Sequence, residues 1–448
     1  MVSKIKIVSV ISDLGIGGTS RQLTTIDKYL NKDFFEHYII STNSDDKARV
    51  KFIKNNNLFF VSDPYKIVQL IEEKGIDLLF FQRHGRNELL HDKISNLLNE
   101  DVSVVELNIF SSKDYGDFGK KCGAHVFVSS INLLKYCRQN KIDFDFKKHK
   151  VMHALVDSDN FLKDVPTDLN VIDYKSKLGI KDEFVIGRIA RPVMGKWDDM
   201  TILMWKKLCK INNKIKFIVY GVPDCRKKML EKIGISNNLI MLDSTSSDYE
   251  LSLFYNSIDV LVHISPIGEC SSAAIDEAML FKKPVIVNST PFPKYTFFRS
   301  HTRDNGQLEQ VTNGKNGYIV KNATAMAKAI DKLSKDSVLV KEFGNINYKK
   351  VLNNYDAKIG IKTLEKIFLE SVLDKGKKLS NYILKYYDSL KFYPDKNMID
   401  EWFEKYDKVL CDVYCIECQD TNIEKIKGSL LKVKRKLKSF ISRVFNNK

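Results

Sequence analysis

Most of the chain alternates short apolar runs with longer segments in which apolar residues recur every three or four positions. The runs are typical of buried strands in a parallel sheet, and the longer segments are typical of helices packed on it. In the first half the predicted strands are Ile5–Ile11, His37–Ser41, Leu78–Gln82, Val102–Leu107 and Val126–Ser129. Predicted helices cover 20–30 and 64–74. This alternation favours a parallel, doubly wound sheet.

A second set of alternating elements begins near Asp182. Its predicted strands are Phe184–Ile189, Ile215–Tyr220, Leu239–Leu242, Val260–His263, Val285–Asn288 and Gly317–Val320. Its predicted helices are 199–211, 250–256, 272–281 and 324–334. The fold class is therefore α/β, with two Rossmann-like domains and a linker near 160–180. The predicted domains are 1–165 and 166–355, followed by a crossover helix and a helical C-terminal extension over 356–448.

Length and composition agree with a globular protein of two or three domains. The chain has 448 residues, of which 44% are hydrophobic. It begins with an apolar strand where a secreted protein would carry a signal peptide, and no apolar run reaches the roughly 18 residues of a membrane span. Its eight cysteines show no disulfide-framework spacing, which indicates a reducing compartment. We therefore expect a cytoplasmic protein.

Positive charge is concentrated at the C-terminus of a chain whose formal net charge is +16. Residues 421–448 carry nine Lys or Arg and one acid, Glu424, with apolar residues at helical spacing. A basic amphipathic helix of this kind binds anionic membrane surfaces, so peripheral membrane contact is the favoured interpretation. The alternative is a terminal helix packed on the body of the protein. Nucleic acid is not an expected partner, because no recognisable binding module accompanies the charge.

The sequence offers two kinds of candidate metal site, a cysteine cluster and D-x-D pairs, and favours neither. Cys411, Cys415 and Cys418 crowd together, but no histidine follows His301 to complete a zinc site, and a helix explains their spacing. The D-x-D pairs at 143–145 and 157–159 are expected by chance in a chain with 56 acids. The chain is expected to need no metal and no cofactor.

Two loops at predicted strand ends offer positive charge or backbone amides to an anion. Gly15 to Thr19 forms a glycine-rich turn between the first strand and a helix, and Gly17 and Gly18 would let backbone amides face a phosphate. The turn lacks the third glycine of the dinucleotide fingerprint, which weakens a dehydrogenase interpretation. Arg188, Arg191 and Lys196 follow the first strand of the second domain, where they can neutralise a diphosphate.

Two glutamates, Glu269 and Glu277, lie eight positions apart, the second on a predicted helix that ends before Pro284. Carboxylates at the carboxyl edge of an α/β sheet suit a ligand rich in hydroxyls, such as a sugar or a ribose. The alternative is a surface helix with scattered acids. His84 follows a buried strand of the first domain and is expected to face the same crevice.

Together these motifs resemble glycosyltransferase family four, retaining enzymes of the GT-B fold, over roughly residues 1–370. The resemblance lies in five segments that occur in the family's order. They are the glycine loop at 17–21, the hinge segment at 154–161, the loop from Gly187 to Trp197, the E-x7-E pair Glu269 and Glu277, and the late loop at 304–317. The hinge segment departs from the family pattern, with His153 and Ala154 in place of Asn and Gly.

The resemblance implies a nucleotide-sugar-dependent hexosyltransferase that retains the anomeric configuration. Arg188 or Arg191, with Lys196, would hold the donor diphosphate and stabilise the leaving group. Glu277 would bind the ribose, Glu269 the hydroxyls of the donor sugar, and His84 the transferred sugar. The acceptor would be a glycan, glycolipid or glycoprotein.

One departure from the family concerns the residues after Glu269 and keeps a non-catalytic function open. The family's "E-x-F-G" reads Glu269-Cys270-Ser271-Ser272 in this chain. The two serine hydroxyls can replace the missing donors, so Cys270, Ser271 and Ser272 are expected to bind the donor phosphates together with the helix start. The alternatives are a non-catalytic GT-B-like scaffold at a membrane and a sugar-nucleotide epimerase.

Overall fold

The computed structural model describes residues 4–45, 47–53, 57–232, 236–245, 247–290 and 304–406. Residues 1–399 belong to one compact unit and 400–448 to a second. Of the second unit only residues 400–406 are described, and they are helical. The basic segment 421–448 and the three clustered cysteines lie outside the described residues.

The first sheet has seven parallel strands in the order β3-β2-β1-β4-β5-β6-β7. They are β1 (Ile5–Ile11), β2 (Phe35–Ser41), β3 (Leu58–Phe60), β4 (Leu78–Arg83), β5 (Ser103–Asn108), β6 (Ala124–Phe127) and β7 (His149–Val151). Both faces are covered, so the central strands are mainly apolar, as in β1 (IKIVSVI) and in the first four residues of β4 (LLFFQR). The strand order reverses between β1 and β4, and a crevice forms at such a switch point.

Seven helices fall between these strands or connect to the second sheet. They are α1 (Gly18–Tyr29), α2 (Pro64–Lys74), α3 (Leu89–Leu97), α4 (Asp117–Lys121), α5 (Ser130–Asn140), α6 (Ser158–Lys163) and α7 (Asp168–Lys177). The sequence fixes several of their ends. Asp63 caps α2 by accepting a hydrogen bond from the Lys66 amide, Pro64 occupies its first turn, and Gly75 ends it in the left-handed conformation.

The second sheet has six parallel strands in the order β10-β9-β8-β11-β12-β13. They are β8 (Phe184–Ile189), β9 (Ile215–Tyr220), β10 (Leu239–Leu242), β11 (Val260–His263), β12 (Val285–Asn288) and β13 (Gly317–Val320). The remaining helices are α8 (Met200–Ile211), α9 (Asp224–Lys232), α10 (Asp248–Ser257), α11 (Ala273–Leu280), α12 (Gln307–Gln310), α13 (Ala323–Ser334), α14 (Ser337–Asn354), α15 (Ala357–Asp374) and α16 (Asn381–Ser389). Apolar cores lie on both faces of this sheet.

The last long helix, α15, returns to the first sheet. Ile361, Leu364 and Phe368 belong to the same buried cluster as residues of β1 and β4. The ring of Phe368 packs edge-on against Phe80, with 5.1 Å between centroids. α15 therefore packs on the first sheet and completes the core of that half.

Polar contacts at the start of α5 connect the two sheet regions. Glu309 accepts hydrogen bonds from the amide of Ser130 at 2.8 Å and from His153 at 2.5 Å. Lys135 forms an ion pair with Asp304 at 2.5 Å. A carboxylate at a helix N-terminus is stabilised by the helix dipole and by unpaired amides. His153, one of the two departures in the hinge segment, is thus a contact between the halves.

The predicted two-sheet α/β architecture is confirmed. The predicted linker at 160–180 contains most of α6 and all of α7, and α7 packs on α10. The domain boundaries at 165 and 355 stay a prediction. Among the described residues, no helix is both long and apolar enough to cross a bilayer.

Candidate active site

A crevice with a volume of about 320 Å³ lies between the two sheets, at the carboxyl ends of their strands. Its lining from the first half includes the glycine turn after β1 and Phe110 after β5. Its lining from the second half comes from the loops after β8 and β11 and from the start of α11. Ligands of open α/β sheets bind at this edge, so the crevice is the candidate active site.

Glu269 is a buried carboxylate of the crevice with a partner on each of its two oxygens. One oxygen accepts a hydrogen bond from Lys196 Nζ at 2.6 Å, and the other lies 3.0 Å from His263 Nε2. The backbone is fixed as well, because the Glu269 amide donates to the side chain of Gln307 at 3.0 Å. Burial would raise the pKa of Glu269, but the charge of Lys196 and the hydrogen bond of His263 hold it at about 2.

His263 is a site residue that the sequence analysis missed. It is the last residue of β11, which reads as an ordinary core strand, and its Nε2 also lies 3.3 Å from Ser272 Oγ. The side chain is buried beside the helix start. Its position at a strand end was the signal that could have found it, since side chains at that edge face the crevice.

Glu277 is also buried, but its partners come from a different place. One oxygen accepts from Arg21 Nη1 at 2.9 Å and the other from the Tyr255 hydroxyl at 2.8 Å. Arg21 lies on α1 of the first half and also pairs with Asp248 at 2.7 Å. Burial raises the pKa of Glu277, and the charge of Arg21 only partly offsets that effect.

The two arginines of the basic loop occupy different environments. Arg191 is exposed and lines the crevice, together with Lys196. Arg188 is 2% exposed, donates to the carbonyl of Lys196, and lies 4.7 Å from the ring of Trp197. Burial lowers its pKa to about 10. Arg188 therefore supports the loop that presents Lys196, while its predicted contact with a donor diphosphate stays a prediction.

The glycine turn faces Arg191 across the crevice. Gly17 is extended, and a side-chain carbon there would lie 4.0 Å from Arg191 Nη1. Gly18 begins α1 and also lines the crevice. The two glycines therefore leave open space beside a guanidinium, which suits an anion.

The segment from Cys270 to Ser272 forms the approach to α11. All three residues line the crevice, and Ser272 is the residue that precedes the helix. The Cys270 carbonyl accepts from Ser129 Oγ at 2.9 Å, while the Ser272 amide is occupied by Gln310 at 3.2 Å. Burial raises the pKa of the Cys270 thiol well above its ordinary value, which excludes a thiolate nucleophile at neutral pH.

His84 lies at the margin of the site. Its side chain is 62% exposed and stacks on Phe110, with 5.1 Å between the rings. Phe110 lines the crevice, whereas His84 does not belong to the lining that the described residues form. The predicted role of His84 towards a transferred sugar stays a prediction.

Within the described residues, one group of side chains could hold a metal ion, and it lies away from the crevice. Glu106, Cys122 and His125 bring their ligand atoms within 4.8 Å of one another. The His125 ring already contacts Glu106 at 2.5 Å, and Arg83 lies 3.6 Å from the other carboxylate oxygen. The D-x-D residues Asp157 and Asp159 are engaged by lysines at 2.7 and 2.8 Å.

The crevice thus combines three buried carboxylates, Glu269, Glu277 and Asp304, with four cationic side chains. The cationic side chains are Arg21, Arg49, Arg191 and Lys196. Such an arrangement can bind hydroxyls at the carboxylates and a doubly charged phosphate group between the cations. It resembles neither a hydrolase triad nor a metal centre in the residues that the structure describes.

Comparison with solved structures settles the architecture. A glycosyltransferase from Rickettsia africae ESF-5 aligns over 82% of this chain and 99% of its own, with 18% identity and a TM-score of 0.67. Anabaena Alr3699/HepE, solved in complex with UDP-glucose, aligns over 83% of this chain and 100% of its own, with 15% identity and a TM-score of 0.64. The fold is GT-B.

Part of the chain is also similar in sequence to glycosyltransferases. Residues 183–336 match the family model described as "Glycosyl transferases group 1". The poly(ribitol-phosphate) alpha-N-acetylglucosaminyltransferase of Staphylococcus aureus is 26% identical over 204 residues, which span 44% of this chain and 36% of that protein. Residues 183–336, in the second half of the fold, are therefore similar to glycosyltransferases of group 1. The segment matched to the staphylococcal relative spans about a third of that protein.

Proposed function

We propose that the protein is a retaining glycosyltransferase that moves a hexose from a nucleotide-diphosphate sugar to a glycan, glycolipid or glycoprotein acceptor. The observation that carries the proposal is the Lys196–Glu269–His263 cluster, in which the glutamate and the histidine are buried, in a crevice that Arg191 also lines. Support for a nucleotide-sugar comes from the glycosyltransferase match over 183–336 and from a fold shared with a protein solved with UDP-glucose.

In the proposed reaction, the bond between the anomeric carbon and the diphosphate oxygen breaks, and its electron pair leaves with the diphosphate. Arg191 and Lys196 stabilise the negative charge that develops there. The acceptor hydroxyl attacks the same face of the sugar, and its proton passes to the departing phosphate oxygen. The reaction needs no other reactant, and we propose that it needs no metal or cofactor.

Glu269 is assigned the hydroxyls of the donor sugar. Its pKa of about 2 keeps it ionised at neutral pH, so it accepts hydrogen bonds and does not donate a proton. His263 and Lys196 fix both of its oxygens before the donor arrives. Glu277 is assigned the ribose hydroxyls, for which it must exchange the contact with Arg21.

The test is a panel of nucleotide-sugars, with UDP-sugars first, incubated with the purified protein, the Glu269→Gln variant and the Glu277→Gln variant. We expect one donor to bind and to release free nucleoside diphosphate slowly without an acceptor, and both variants to weaken this release. Binding without any turnover, even with acceptors present, would indicate a scaffold. Conversion of the free donor sugar into an epimer would indicate an epimerase.

A further inference from the structure

A second cavity, the side pocket, opens beside α1 and is larger than the crevice, with a volume of about 680 Å³. It lies between α1, β2 and the turn at residues 49–52. Six cationic side chains line it, namely Lys4, Arg21, Lys28, Lys32, Arg49 and Lys51. Arg21 and Arg49 also line the crevice, so the two cavities adjoin.

We propose that the side pocket binds a phosphate group, carried either by the acceptor or by a free phosphate compound. The assignment to the acceptor rests on the proposed glycosyltransferase function, whereas the assignment to a phosphate rests on the pocket alone. The volume lies within the range of small-molecule sites and accommodates a phosphorylated sugar or polyol.

Arg49 is the central observation. Arg49 is 5% exposed, and its guanidinium carbon lies 4.8 Å from the centre of the Phe52 ring. Its Nε has no hydrogen-bond partner in the described part of the chain, and no described carboxylate comes within salt-bridge distance of it. A buried, unpaired charge is costly, and an incoming anion would relieve that cost. Burial lowers the pKa of Arg49 to about 10, so it remains cationic at neutral pH.

Four acidic side chains line the pocket beside the six cationic ones, so the lining keeps a net charge of +2 (six minus four). Asp157 accepts from Lys28 at 2.7 Å, Asp248 from Arg21 at 2.7 Å, and Glu36 from the Tyr38 hydroxyl at 2.6 Å. The fourth, Asp27, contacts His37 at 2.8 Å. Asp157 and Asp248 thus offset Lys28 and Arg21, and the excess charge of the pocket is positive.

Lys4 and Lys51 supply that available charge together with Arg49. Both lysines are exposed, and neither has a carboxylate within 4 Å among the described residues. One planar guanidinium in the same pocket as two exposed ammonium groups is a donor set that fits phosphate, since arginine matches its geometry and lysine adds charge.

The position of Arg21 explains why the ligand is assigned to the acceptor side. Arg21 stands between the two cavities and holds Glu277 in the crevice. A phosphate in the side pocket would place the rest of its molecule next to the proposed donor site. An acceptor bound in this way would keep its anionic part away from the donor diphosphate.

The test measures binding of inorganic phosphate and of a glycerol phosphate oligomer to the full chain by calorimetry, in the wild type and in Arg49→Gln and Lys51→Gln. We expect each substitution to weaken binding about tenfold or more, while the exposed-helix control Arg138→Gln binds as the wild type does. Lys51 lines the side pocket and not the crevice, so its effect separates this pocket from the diphosphate site. It is also exposed, so the variant is expected to fold even where Arg49→Gln does not.

Tighter binding of the oligomer than of inorganic phosphate would identify the acceptor as the source of the phosphate, and equal binding would identify a free phosphate compound. Binding that is unchanged in both Lys51→Gln and Arg49→Gln, or absent in the wild type, would overturn the proposal. UDP binding by the same samples keeps the two hypotheses apart. If the protein binds UDP but not phosphate, the proposal for the side pocket is wrong and the proposed donor stands. If it binds phosphate but not UDP, the proposed donor is wrong and the proposal for the side pocket stands.

Discussion

The two ends of the E-x7-E segment behave differently although both carboxylates are buried. Glu269 is held by Lys196 and His263, which belong to the same sheet region, and its pKa is about 2. Glu277 is held by Arg21 from the other half of the molecule, and its pKa is raised. The pKa values of two carboxylates eight residues apart are thus shifted in opposite directions.

The difference shows that Glu269 is positioned by residues of its own half, whereas Glu277 depends on a contact between the two halves. Glu269 keeps its partners wherever the first half lies, so it is preorganised for its ligand. Glu277 keeps its hydrogen bond from Tyr255, which lies in the same half, but it has the charge of Arg21 only while α1 of the first half lies beside it. The following experiments test this comparison.

The largest effect is expected for Glu269→Gln. The substitution keeps the shape of the side chain but leaves Lys196 without its counter-ion and removes an acceptor for the donor sugar. We expect a fall in kcat of roughly 10²- to 10³-fold, the magnitude typical of a lost preorganised electrostatic contact. Steady-state kinetics against Asp173→Asn, which breaks an exposed pair with Lys177, checks it. Equal losses in both variants would exclude a special role for Glu269.

The pH dependence of stability should have opposite signs for the two glutamates. The pKa of Glu269 is lowered from 4.5 to about 2, so its contribution is present above pH 4.5 and is lost as the pH falls through about 2. This difference corresponds to roughly 3 kcal/mol at full extent. The pKa of Glu277 is raised, so its ionisation costs stability as the pH rises above 4.5 and through that higher value.

Denaturant unfolding of Glu269→Gln and Glu277→Gln between pH 3 and pH 7 tests these signs. In Glu269→Gln, the free energy of unfolding should fall less than in the wild type as the pH drops below 4.5. In Glu277→Gln, it should fall less than in the wild type as the pH rises above 4.5. Parallel curves for the two variants would contradict the comparison.

Arg21→Gln should destabilise the protein by about 2–3 kcal/mol, because it leaves Glu277 and Asp248 with an unpaired, largely buried charge. The matched control on the same helix is Lys28→Gln, whose side chain is 44% exposed and pairs with Asp157. That variant should lose less than about 1 kcal/mol. Urea unfolding measures both, and similar values would show that Arg21 is not a special contact between the halves.

The smallest effect on stability is expected for His84→Ala. The side chain is 62% exposed and mainly covers Phe110, so the free energy of unfolding should change by less than about 0.5 kcal/mol. The same variant tests the predicted catalytic role of His84. A fall in kcat with unchanged donor binding would support that role, and wild-type kinetics would remove His84 from the site.

The sequence predicted the second half of the fold better than the first. All six strands β8 to β13 lie at the predicted positions, because each is an apolar run bounded by polar residues. β3 and β7 were missed. Each has three residues, and β7 reads His-Lys-Val, a polar sequence whose side chains are nevertheless buried by neighbouring elements.

In the site, the sequence predicted the residues that belong to short motifs but not the contacts between distant segments. The loop with Lys196 and the pair Glu269 and Glu277 were recognised from their order along the chain. The contact between Arg21 and Glu277 joins residues 256 positions apart, and no periodicity signals it. The burial of Arg188 depends on the packing of Trp197 over it, which composition and spacing do not reveal.

The return of α15 to the first sheet has a consequence for synthesis on the ribosome. The strands β1 to β7 are translated by residue 151, but the helix that fills one side of their core ends at residue 374. At about 5–20 residues per second, the nascent first half waits roughly 10–45 s with that apolar surface uncovered. During this interval the emerging chain is a natural client for a ribosome-associated chaperone, and release of the finished helix closes the surface.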